Sequence, residues 1–225
     1  LGKVKFLVID EQHRFGVRQR AILRAKGITP HVLTMTATPI PRTVALTLHN
    51  DLSLSVLDEM PLGRKPVKTW VVPPQKRQAA YAWIDKQLTN SRGRQRAFII
   101  CPFIEPSESM QTIRAATQEY DNLKRDVYPH FHLGLLHGKM KSGEKANVLT
   151  KFRDGEYQIL VATPVVEVGI DIPQATIILI EAADRVGLAQ LHQLRGRVGR
   201  SNTQSYCLLF ASSADTPDIR RLKYL

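Results

Sequence analysis

Cysteine is nearly absent: the 225 residues contain two, Cys101 and Cys207. Each lies within an apolar run and reads as a buried small hydrophobe, which argues against a disulfide framework and against a cysteine zinc site. No apolar run approaches the ~18 residues of a membrane span, and no signal peptide opens the chain. The expected setting is therefore a reducing one, the cytoplasm, with no membrane partner. Acidic residues are scarce beside basic ones, 20 Asp and Glu against 32 Lys and Arg, a formal net charge of +12. Such an imbalance favours a polyanionic partner, nucleic acid first. No stretch reads G-x-x-x-x-G-K-[ST], the loop whose amides and lysine cradle phosphates. Internal repeats and low-complexity segments are missing too. The first residue is Leu1 rather than Met, and a strand-like run follows at once, so the chain reads as an excerpt of a longer polypeptide.

What is present begins with a short apolar run at 4–9, of the kind that forms a buried parallel strand. It ends in Asp10-Glu11-Gln12-His13, and carboxylates at such a strand end sit where open α/β sheets bind ligands. Adjacent acids there can divide labour, one holding Mg²⁺ and the other orienting a water. Residues 14–26 predict a basic amphipathic helix closed by Gly27, and 31–35 a second strand. A stiff loop with Thr36, Thr38, two prolines and Arg42 follows, then a strand candidate at 52–56.

The segment Pro61-Leu62-Gly63-Arg64-Lys65-Pro66 breaks the pattern and predicts a hinge, with Pro73-Pro74 beyond it. From Arg64 to Arg96 nine basic residues face one acid, Asp85, which suits either a surface near phosphates or a solvated face. Beyond the hinge, strand and helix alternate. Strands are expected at 97–101, 132–136, 158–162, 176–180 and 206–210, and helices at 79–88, 108–124, 143–152 and 188–194. That βαβ series predicts a mostly parallel, doubly wound sheet. Between two of its strands, Thr163 closes a strand, Gly169 allows close backbone approach and Asp171 offers an acceptor.

The most distinctive stretch is 187–200, GLAQLHQLRGRVGR. As a helix it would set Gln193, Arg197 and Arg200 at i, i+4 and i+7 on one face. Gly196 and Gly199 are poor helix residues, each costing roughly 1 kcal/mol against Ala. Glycines interleaved with arginines suggest that a ligand approaches the backbone closely, and the planar arginine fork suits phosphate oxygens.

Taken in order, these segments resemble motifs II, III, V and VI of the superfamily 2 helicases. DEQHRFG at 10–16, TATPIPRT at 36–43, DEMPLGRKP at 58–66 and the 187–200 stretch are similar to the RecG family of bacterial branched-DNA helicases. The bacterial transcription-repair coupling factor shares the last stretch and much of the second, and is the alternative, as is a catalytically dead, basic nucleic-acid-binding module. The resemblance implies two RecA-like α/β domains, a partial one at 1–60 and a nearly complete one at 76–211. A hinge at 61–75 would join them, and a tail would begin at 212–225.

It further implies ATP and Mg²⁺ as cofactors and DNA as partner, touched mainly through phosphates, with protein partners left unknown. Asp10 would hold Mg²⁺ through water and Glu11 would position the attacking water. Arg197 and Arg200 would reach the ATP phosphates, with Gln193 and His13 near the nucleotide and Asp171 and Gly169 near the ribose. Thr36, Thr38, Arg42, His137 and Thr163 would couple hydrolysis to DNA. In this family the phosphate loop lies upstream of motif II, so these 225 residues alone are expected to be inactive as an ATPase.

Overall fold

A computed structural model of the chain describes residues 4–10, 16–25, 27, 30–36, 53, 55–102, 110–164, 171–212 and 217–225. The chain divides into two units, residues 1–58 and 59–225.

The first unit holds a β-α-β arrangement: β1 (Phe6–Ile9), α1 (Val17–Arg24) and β2 (His31–Thr34). The strands pair in parallel, Phe6 beside His31 and Ile9 beside Thr34. The helix is shorter than expected from 14–26, and Gly16 opens it, its amide donating to Gln19 Oε1 at 3.0 Å. Gly27 is required by crowding, since a Cβ there would lie 2.2 Å from the Val4 carbonyl oxygen. Phe6, Val8 and Leu33 are exposed. No strand forms at the described positions of 52–56, which are Ser53, Ser55 and Val56.

The second unit is a six-stranded, wholly parallel sheet. Its strands are β3 (Lys68–Val72), β4 (Arg96–Ile100), β5 (Leu133–Leu136), β6 (Ile159–Ala162), β7 (Ala175–Ile180) and β8 (Tyr206–Phe210), in the spatial order β3-β8-β7-β4-β6-β5. The continuous apolar runs of β4, β6 and β7 are buried on both faces, which is why they do not alternate with polar residues. Phe98, Ile100, Leu160, Ala162, Ile178 and Ile180 face one layer, formed by α4 (Ser142–Asp154) and α5 (Leu188–Arg195) with Phe152, Leu191 and Leu194. Ala97, Ile99, Ile159, Val161, Ile177 and Leu179 face the other, formed by α2 (Arg77–Asn90) and α3 (Met110–Asn122) with Ile84, Leu88 and Ala116. A short helix α6 (Pro217–Leu222) adds Leu222 to the first layer.

These elements bear out the expected α/β class, and boundaries shift by one to three residues. One difference is larger. Residues 61–75 were expected as a hinge, yet they contain β3, which runs parallel to β8 from Lys68 beside Tyr206 to Val72 beside Phe210. As an edge strand, β3 shows the alternating exposure that the central strands lack.

Candidate functional site

Three adjacent strands of the sheet, β3, β8 and β7, are each entered through a polar loop, and these loops meet. Arg64 precedes β3, Arg200 precedes β8 and Asp171 precedes β7. Together with Pro61, Leu62, Ser201 and Asn202 they line an open cavity of about 420 Å³ at the amino ends of the strands. Arg200 Nη1 donates to Asp171 Oδ1 at 3.0 Å, and the carboxylate is far more exposed than the guanidinium, 68% against 25%. An ion pair this open to water is worth at most about 1 kcal/mol, so an arriving phosphate can take the arginine from it. Ile172, buried beneath, anchors the turn that carries Asp171.

The expected helix at 188–194 forms, and the single face that a longer helix would give Gln193, Arg197 and Arg200 does not. Helix α5 stops at Arg195, capped by Gly196, and Arg197 and Arg200 lie in the turns beyond it. Gly199 takes φ +76°, a left-handed conformation that no helix interior accommodates, and a Cβ there would stand 2.7 Å from Val67 Cγ2. Arg197 keeps its neighbour one turn back, Nε lying 3.5 Å from the Gln193 carbonyl. Arg200 Nε is 3.3 Å from the Gly196 carbonyl while its tip faces Asp171.

The opposite edge of the sheet gathers a second group. Leu136 and Ala162 pair across β5 and β6, so His137 and Thr163 emerge side by side at the carboxyl ends, and the Thr163 amide donates to the Leu136 carbonyl at 3.1 Å. His137 Nδ1 is buried with no hydrogen-bond partner among the described residues, while Lys145 Nζ donates to the carbonyl of neighbouring Gly138. Thr163 itself is fully buried and its interactions are internal, so its side chain offers no surface to a phosphate in this conformation. In the first unit, Asp10 and Thr36 likewise follow the paired carboxyl ends of β1 and β2, and both are exposed. Glu11, His13, Thr38, Arg42 and Gly169 lie outside the described residues. Among the described residues no cluster of three His, Cys, Asp or Glu side chains forms a metal cage. A single strand-end carboxylate such as Asp10 still fits Mg²⁺, which keeps its waters and takes only one or two protein oxygens.

Sequence reasoning did not single out Glu181. It follows β7, its amide donates to the Ile100 carbonyl at 2.9 Å, and its carboxylate is paired with Arg77 and lies 3.3 Å from the Tyr81 hydroxyl. Burial pushes this carboxyl up to about 7 and the Arg77 charge works against that rise. Glu119, 3.5 Å from the same hydroxyl, is raised by the same burial. Both cysteines are free and buried, as expected, and burial raises their thiols, Cys207 to about 12.

The described helices include none long and apolar enough to cross a membrane. The model of the helicase conserved C-terminal domain matches residues 79–202, more than half of the chain, and the chain belongs to that family. The particular kinship is with RecG. ATP-dependent DNA helicase RecG of Synechocystis is 53% identical over 220 residues, which cover 98% of this chain and 26% of that protein. RecG of Bacillus subtilis is 46% identical over 222 residues, 99% of this chain and 32% of that protein. The chain therefore spans roughly a quarter to a third of the length of these curated relatives. A solved structure of RecG bound to a three-way DNA junction matches all of the chain at 40% identity and TM-score 0.77, using 28% of that RecG chain. Mss116p, at 21% identity and TM-score 0.71, shares the fold. The resemblance read from the motifs and the RecA-like class are both borne out.

Proposed function

We propose that the chain is part of the motor of an ATP-dependent DNA helicase that remodels branched DNA, such as forks and Holliday junctions, in repair and recombination. The observation that carries this reading is the gathering of Arg200, Arg64 and Asp171 around one cavity at the amino ends of β3, β8 and β7. In phosphoryl transfer the charge spreads over the γ-phosphoryl oxygens, and a guanidinium held beside them lowers the barrier by electrostatic stabilisation. Arg200, released from Asp171, and Arg197 would take that part, with Gln193 and His13 near the nucleotide and Asp171 and Gly169 at the ribose. Asp10 would hold Mg²⁺ through water, and that ion would neutralise charge on the phosphates. Glu11 would orient the attacking water.

DNA would lie against His137 at the carboxyl ends and the loop of Thr36, Thr38 and Arg42, mostly through phosphates, so that binding weakens with salt, while Thr163, buried in this conformation, would support that face from beneath. Residues 1–60 would close a first RecA-like domain and 76–211 form the second. Residues 61–67 would join them, β3 at 68–72 belonging to the second domain's sheet, and 212–225 would open a further segment. Such a motor would work in the bacterial cytoplasm, where the chromosome lies.

The test is DNA-stimulated ATP hydrolysis by this chain beside a version extended upstream to include a phosphate-binding loop. Hydrolysis by the extended protein alone, abolished by Arg200→Ala, supports the reading. Turnover by the short chain, which has no such loop in its sequence, would refute it.

A further inference from the structure

Residues 61–68 are fastened, almost residue by residue, to the turn that carries Arg200. Pro61 to Arg64 forms a tight turn, the Arg64 amide donating to the Pro61 carbonyl at 3.2 Å, with Gly63 at φ +82°. A Cβ on Gly63 would stand 3.1 Å from Asn202 Oδ1. Arg64 Nε donates to the carbonyl of Gly199, the residue immediately before Arg200. Gln204 Nε2 donates to the Pro66 carbonyl at 2.8 Å, and the Lys68 amide donates to the Ser205 carbonyl at 3.0 Å. Val67 fills the space that a side chain on Gly199 would need.

Gly199 is the pivot of this arrangement. Its left-handed backbone decides which way the chain leaves α5, and its carbonyl belongs to the peptide plane that enters Arg200. A donor fixed on that oxygen fixes the plane, and with it the Cα from which the Arg200 side chain departs. We propose that Arg64 is a positioning residue for Arg200, the central tie of a strap at 61–68 that sets where the Arg200 guanidinium stands in the cavity. This rests on the reading of Arg200 as the phosphate-facing arginine. The strap is also the chain that follows the first unit, which ends at Asp58.

Misplacing a catalytic group by about 1 Å can cost on the order of 10²-fold in rate. In the extended, hydrolysing protein, Arg64→Ala is expected to lower kcat at least tenfold while the KM for ATP changes less than about twofold, and amide exchange over 197–203 should quicken. Arg64→Lys, which keeps a donor, should recover most of the rate. Gln204→Ala, which removes an outer tie without disturbing the core, should lower kcat about threefold, so the strap remains testable if Arg64→Ala folds poorly. Parental kcat in Arg64→Ala beside a dead Arg200→Ala overturns the strap and leaves the arginine reading standing. A risen KM with unchanged kcat also overturns it, because Arg64 would then be a nucleotide contact. Full activity in Arg200→Ala removes the arginine reading and the strap with it.

Discussion

At the amino ends of β3, β8 and β7 the sheet gathers two arginines and an exposed carboxylate around an open cavity. At the carboxyl ends, β5 and β6 carry a half-buried histidine and a buried threonine side by side, and β7, with β4 between, carries a partly buried carboxylate paired with Arg77. The first group is built on loops whose charges are held by weak, solvent-open contacts, the Arg200–Asp171 pair among them, which a ligand can displace. The second is built on strand ends packed against helices, so its side chains are held by the fold, although the buried Nδ1 of His137 has no partner among the described residues. One sheet thus carries an open, charged cavity at the amino ends of β3, β8 and β7 and a packed group at the carboxyl ends of β5 and β6.

The sharpest way to break this contrast is to mutate one edge and assay both. Arg200→Ala in the extended protein should lower DNA-stimulated ATP hydrolysis about 10³-fold or more, with DNA affinity by fluorescence anisotropy within about twofold of parent. Equal losses in both assays would erase the division between edges. Next in size is Gly199→Ala. It asks a residue with a side chain to take φ +76° against Val67, and thermal melting should report a loss of about 1–3 kcal/mol.

A third prediction concerns the carboxyl-end platform. Glu181 has a folded pKa of about 7, raised by burial, above the ~4.3 of a free glutamate. The folded state therefore holds that proton more tightly than the unfolded one, and the stability so contributed is complete below about pH 4. It is lost as pH rises through 7, on the order of 3 kcal/mol in all. Melts from pH 5 to 8 should show the parent chain losing stability relative to Glu181→Gln. A difference that does not change with pH would mean that the carboxyl stays ionised throughout. The smallest effect belongs to His137→Ala, expected to weaken DNA binding about threefold with DNA-independent hydrolysis unchanged; no change in affinity would remove His137 from the DNA face.

The core was the most legible part of the sequence. Runs such as Ile159–Ala162 and Ala175–Ile180 are apolar throughout because both of their faces are covered, and that pattern is local. Strand β3 was hidden because prolines and basic residues flank it and its partner β8 begins far along the chain, Lys68 beside Tyr206. The end of α5 was legible to within one residue, but the path of the chain beyond it was not. A glycine inside a helix and a glycine beyond it look alike in sequence, and Val67 is what commits Gly199 to a left-handed turn. Arg200 and Asp171 were recognisable from their motifs, although their pairing was not. Arg64 was read as part of the hinge segment and one charge among nine, not as a partner of Gly199, because that carbonyl is 135 residues away. Glu181 gave no signal at all, since the Arg77 that faces it lies 104 residues earlier.

The pairing of β3 with β8 also bears on how the chain is made. On the ribosome β3 emerges before its partner β8 and waits while the intervening residues are synthesised, roughly 7–27 s at ordinary elongation rates of about 5–20 residues per second. During that interval Trp70 has no Tyr206 to stack on, whereas in the finished fold their rings lie 5.4 Å apart and Trp83 meets both edge-on. The last strand to appear therefore closes the sheet beside the first, and the emission of a single tryptophan pair dates the moment of closure.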